Sequence, residues 1–135
     1  EEARPAYHAA LAHGANHLVT LVDQAVRALA AGGVADPEAT LRPLLTTALD
    51  RALHEGAEHA LTGPVARGDA GTLSRHLAAL AALRDEEGRA LTEVVDTYRA
   101  LARATLQRRL DTGHLSQEQA ARLTAALDGS DGGAD

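Results

Sequence analysis

Cysteine, methionine, phenylalanine and tryptophan are absent from this chain, and so are lysine and isoleucine. Without cysteine there is no disulfide frame and no thiol chemistry, which leaves the redox compartment open apart from a lean to the cytoplasm. Tyr7 and Tyr98 are the only aromatics, so the core has to be built from Leu, Val and Ala. Side chains of that size imply helices that approach closely. No segment nears the roughly 18 uninterrupted apolar residues of a membrane span, and the start, Glu1-Glu2-Ala3-Arg4-Pro5, lacks the basic-then-apolar order of a signal peptide. Positive charge is also scarce. The 13 basic residues, all Arg, are outnumbered by 19 acidic ones, and a net charge of −6 argues against a nucleic-acid surface, which needs a basic stripe to displace counterions. Arg103, Arg108 and Arg109 read as solvated helix faces. A soluble, cytoplasmic protein with no nucleic-acid or membrane partner is expected.

What is present is helical periodicity. After Pro5, the residues Leu11, Leu18, Leu21, Val22, Ala25, Val26 and Leu29 recur at three- and four-residue steps until Gly32-Gly33 stops them. Asp36-Pro37 gives a cap and a first-turn proline for a second helix, with Leu41, Leu44, Leu45, Leu49 and Leu53 on its apolar stripe, ending near Gly56. Pro43 is expected to disturb its first turns. Asp69 caps a third helix carrying Leu73, Leu77 and Leu80. A charged turn, Arg84-Asp85-Glu86-Glu87-Gly88, leads to the strongest pattern, Leu91, Val94, Val95, Tyr98, Leu101 and Ala102, which Gly113 closes. Ser116-Gln117-Glu118-Gln119 is a capping-box signature for a last helix through Leu127. The expectation is therefore an all-α single domain of five or six helices over residues 1–127, with the first and fourth helices at its centre. The apolar-free segment 128–135 is expected to be disordered.

Between the second and third of these helices lies the segment Leu61-Thr62-Gly63-Pro64-Val65-Ala66-Arg67-Gly68-Asp69-Ala70-Gly71-Thr72. Three glycines and a proline in so short a span fix unusual backbone angles, while Thr62, Arg67, Asp69 and Thr72 add hydrogen-bonding groups. That combination suits either a site or a tightly built corner between helices. Arg67 is an ion-pair partner or an anchor for an anionic substrate group. The adhesion tripeptide that Arg67-Gly68-Asp69 happens to spell is better explained by Asp69 as an N-cap.

Two histidine arrangements bear on chemistry. His13 and His17, at i and i+4, share a helix face and supply half of a metal site, but no carboxylate follows on that face and no closed zinc site is expected. His8 and Asn16 lie about 80° apart around the helix axis and can face one groove, where His8 would move a proton and Asn16 would orient a carbonyl. Capping or packing near the helix start accounts for both residues as well. No dinucleotide fingerprint, phosphate loop or nucleophile elbow occurs.

Taken together, Tyr7-His8-Ala9-Ala10, Asn16-His17-Leu18-Val19, the Thr62-Gly63-Pro64-Val65-Ala66-Arg67-Gly68-Asp69 segment, His76-Leu77 and Tyr98-Arg99-Ala100-Leu101-Ala102 resemble the C-terminal helical domain of unknown function of bacterial Rossmann-like proteins. The resemblance covers nearly the whole chain apart from its C-terminal end. Its wider relationship is to the pyrroline-carboxylate reductase and 6-phosphogluconate dehydrogenase-like superfamily, implying a 6-phosphogluconate dehydrogenase C-terminal-like helical bundle. It further implies a substrate-binding and dimerisation half of an NAD(P)-dependent oxidoreductase acting on a small keto or imino acid, with a Rossmann domain as partner and no cofactor bound by this part alone. In that setting His8 and Asn16 would be catalytic, and Thr62, Gly63, Pro64, Arg67 and Asp69 would bind substrate. One departure stands out: many superfamily relatives carry a catalytic Lys one turn before the Asn of the first helix, where this chain has Ala12. The alternative is a helical self-association module without a catalytic role.

Overall fold

The computed structural model describes residues 3–129. Seven helices follow one another: α1 (Ala3–Ala31), α2 (Pro37–Glu55), α3 (Ala57–Ala60), α4 (Pro64–Arg67), α5 (Ala70–Ala82), α6 (Thr92–Asp111) and α7 (Gln117–Asp128). The five long ones are those the periodicity marks; α3 is a single turn just before the glycine-rich corner and α4 a single turn within it. Among the described residues there is no strand, only an isolated bridge between Arg84 and Ala90 in the charged turn. No described helix is long and apolar enough to cross a membrane.

Three of the long helices, α2, α5 and α7, begin where their capping chemistry predicts. Asp36 accepts from the Ala39 N–H ahead of Pro37, and α2 runs through Pro43 to Glu55 without interruption. Asp69 caps α5. At α7 the capping box is complete: the Ser116 hydroxyl accepts from the Gln119 N–H at 3.1 Å, while the Gln119 side chain accepts from the Ser116 N–H at 2.9 Å. The last helix reaches Asp128, which pairs with Arg103 at 2.7 Å, and Gly129 takes a left-handed conformation behind it. The remainder of the segment expected to be disordered, 130–135, lies outside the described residues, as do residues 1–2.

The core sits between α5, α6 and α7, with Val65 of α4 and Leu115 added. Leu73, Leu123 and Leu127 are its fully buried members, and burial on that scale is worth about 1.5–3 kcal/mol per leucine. This corrects the expected centre. The helix opening at Thr92 is central, but α1 is peripheral and its place is taken by α7. The only residue that α1 buries is Gln24. From residue 3 to residue 20 every position but Ala12 is exposed. The apolar stripe on α1 is real, but nothing in the described chain covers its N-terminal half. The C-terminal half is held to α6 through Arg27, which pairs with both Asp23 and Glu93; the hydrogen bond to Glu93 is the main reason the Arg27 guanidinium is pushed above its ordinary range.

Candidate functional site

The corner is built from local rules. Gly63, at φ +93°, turns the chain into Pro64, which opens α4 as a first-turn proline. One turn later Gly68, at φ +73° and ψ 23°, stops it. The Gly68 N–H donates to the Val65 carbonyl at 3.1 Å and the Asp69 N–H to the Pro64 carbonyl at 2.8 Å, the paired bonds of a Schellman stop. Asp69 then starts α5 at once, accepting from the Thr72 N–H at 3.0 Å and the Thr72 hydroxyl at 2.7 Å. These two bonds, backed by the charges of Arg67 and Arg75, hold the Asp69 carboxyl below the ordinary carboxylate range. Carbonyls left over by such short helices need outside donors. Arg51 of α2 supplies one to His59 at 2.8 Å, and Arg109 of α6 reaches Ala66 at 3.2 Å and Glu58 at 3.5 Å. Arg109 is therefore half-buried against the corner instead of lying on a solvated face, and its Nε is a buried atom without a hydrogen-bond partner among the described residues.

Alongside the corner opens a cleft of about 790 Å³, walled by α1, α5 and α6 and closed at one side by Leu41, Leu61, Thr62, Pro64 and Val65. Its size falls within the range of small-molecule sites. The wall is mostly aliphatic and carries no Asp, Glu or Arg. Four of its polar side chains are paired across helices. Gln24, 4% exposed, donates through Nε2 to the Thr97 hydroxyl at 2.9 Å. His76 Nδ1 lies 3.0 Å from the Tyr98 hydroxyl, with the two rings edge to face. Burial pushes the Tyr98 phenol above its ordinary range, so it remains protonated at neutral pH and can offer its hydrogen to a ligand or to His76. Chemically the cleft can enclose an apolar body, orient a carbonyl-like group through Gln24, Thr97 or Thr62, and present one phenolic proton. No group of three or more potential metal ligands occurs among the described residues.

The residues singled out from sequence divide between these places. Thr62 and Pro64 line the cleft, with Gly63 between them. Arg67 does not line it; its side chain is 61% exposed and faces Asp69 at 3.8 Å. His8 and Asn16 are exposed on the projecting half of α1, away from the cleft wall, and the His8 ring sits 5.7 Å from that of Tyr7. The cleft residues that sequence reasoning passed over are Gln24 and Thr97. A signal existed for both, since each is a polar residue set within an apolar stripe: Gln24 among Leu21, Val22, Ala25 and Val26, and Thr97 among Val94, Val95, Tyr98 and Leu101.

A family model described as a domain of unknown function, DUF2520, matches residues 1–105. The chain belongs to that family. The match ends within α6, yet α7, which lies beyond it, supplies two of the three fully buried leucines. No curated protein and no solved structure matches the chain.

Proposed function

We propose that this DUF2520 domain is the substrate-enclosing and dimerising half of a cytoplasmic NAD(P)-dependent oxidoreductase, whose cofactor is held by a Rossmann domain and whose substrate is a small keto or imino acid. The observation that carries this reading is the cleft beside the corner: a volume suited to a small molecule, mostly aliphatic walls, and amide and hydroxyl groups able to orient a carbonyl or imine. Hydride comes from the cofactor when it is bound. This chain contributes a proton, and Tyr98, backed by His76, is the group in the cleft wall able to give it.

Dimerisation fits the uncovered apolar residues. Val19 is 69% exposed, Tyr7 62% and Leu11 54% on α1, with Leu53 at 77% on α2; a row of this kind suits a second copy. The projecting half of α1 also carries His8 and Asn16, so in a dimer these residues would serve the partner's cleft and not their own.

A second reading, self-association without catalysis, draws support from Arg67. Tight packing at the corner requires Gly63 and Gly68 but no arginine, and this arginine pairs with its own chain's Asp69. It acts as a carboxylate anchor only when released from that pairing.

Sedimentation equilibrium combined with melting curves in the presence of small 2-keto acids separates the readings. The oxidoreductase reading expects a dimer, a rise in melting temperature with a keto acid that Tyr98→Phe and Thr62→Val reduce, and no rise with NADPH on this chain alone. A dimer that no keto or imino acid stabilises supports the self-association reading, and a monomer without ligand response overturns both.

A further inference from the structure

The geometry points to a divalent transition-metal site on α1, formed by His13 and His17 and suited to Cu²⁺ or Ni²⁺. The two Nδ1 atoms lie 2.8 Å apart, with the rings edge to face. Two nitrogens each about 2.0–2.1 Å from one ion are separated by about 2.9 Å when they meet it at a right angle, and by about 3.3 Å when they meet it tetrahedrally. The hydrogen bond between the rings shows that the two nitrogens can come as close as neighbouring positions of one ion require, and with no third protein ligand among the described residues the pair suits Cu²⁺ or Ni²⁺, with solvent in the other positions, better than a closed zinc site. In the absence of metal, the same spacing lets one ring donate an N–H to the other. Both residues are exposed, so their rings have the freedom to turn from this mutual hydrogen bond toward a shared ion.

The surroundings leave room for the ion's other ligands. His13, Gly14 and His17 line a groove of about 440 Å³ between α1 and α6. Gly14 sits inside a helix, where alanine is the more favourable residue, and a Cβ built there would meet nothing within 4 Å. The groove shares Leu21, Thr97 and Leu101 with the larger cleft. A metal held by the two histidines alone would keep its remaining positions open to the groove. The site depends on α1 alone and stands whether or not the oxidoreductase reading holds.

Titrating Ni²⁺ alone into the full chain by calorimetry tests it, with histidine NMR spectra recorded in parallel under Cu²⁺. The expected result is one ion per chain, with His13→Ala or His17→Ala weakening binding by at least an order of magnitude and the double variant abolishing it. His54→Ala/His59→Ala leaves it intact. Because both site residues are exposed, the variants retain the helical circular dichroism of the parent. Paramagnetic broadening is expected first at His13 and His17. Undiminished binding in the double variant, or equal broadening across all seven histidines, overturns the proposal.

Discussion

Replacing Gly68 by alanine strikes the corner at its tightest point. At φ +73° a side chain is strained in any surroundings, at about 1–2 kcal/mol for an L-residue in the left-handed region. Here the new Cβ also stands 2.8 Å from Gln119 Nε2 and 3.2 Å from its Cδ. Gln119 is flexible and can swing aside, but it is the reciprocal half of the capping box that starts α7. Displacing it removes the bond to the Ser116 N–H, a further loss of about 0.5–1 kcal/mol. Gly68→Ala should therefore destabilise by about 1.5–3 kcal/mol, lowering the melting temperature by about 5–12 °C for a domain of this size. Thermal and urea unfolding followed by circular dichroism at 222 nm provide the assay. Gly14→Ala is the internal control: the same chemical change, with nothing within 4 Å of the new Cβ, in a helix interior where alanine gains about 0.5–1 kcal/mol. Opposite signs for the two substitutions are expected. A Gly68→Ala protein as stable as the parent would refute the corner geometry and its link to α7.

Other substitutions probe other levels of the structure. Leu123→Ala, at a fully buried position between α5 and α6, should cost about 2–5 kcal/mol in urea unfolding, although it lies beyond the family match. Gln24→Ala should cost about 1–3 kcal/mol by leaving Thr97 without its donor inside the wall; a double-mutant cycle with Thr97→Val that finds no coupling would remove that hydrogen bond from the account. Asp69→Asn addresses pH. The folded Asp69 carboxyl is held below its ordinary value, so its contribution is present above the unfolded pKa of about 3.9 and fades as pH falls through the lower folded value. Urea midpoints measured on acidification across that window should fall less steeply in Asp69→Asn than in the parent. Leu53→Glu, on the open face of α2, should weaken self-association in sedimentation experiments without loss of helix content.

Much of the helical architecture was written in local signals, because caps, stops and periodicity act within a few residues. Asp36-Pro37, Asp69 and the Ser116 capping box start helices where the sequence says they should, and Gly68 behaves as a left-handed stop because only glycine adopts that angle without strain. Such signals state that a helix has an apolar face but not which other face covers it. That is why α1, the longest periodic segment, reads as central and lies at the edge, while the short α7 provides Leu123 and Leu127 to the interior. Arg67 looks like an anchor in sequence, and the Schellman turn that precedes Asp69 sets it beside that carboxylate instead. Gln24 with Thr97 and His76 with Tyr98 are pairings across long sequence separations, on different helices. By itself the sequence determined the helices, their ends and the tight corner, since those depend on neighbours along the chain. Only the tertiary structure decided which helix is buried, where the cleft opens and which polar groups meet in it, since those depend on how helix faces pair in space.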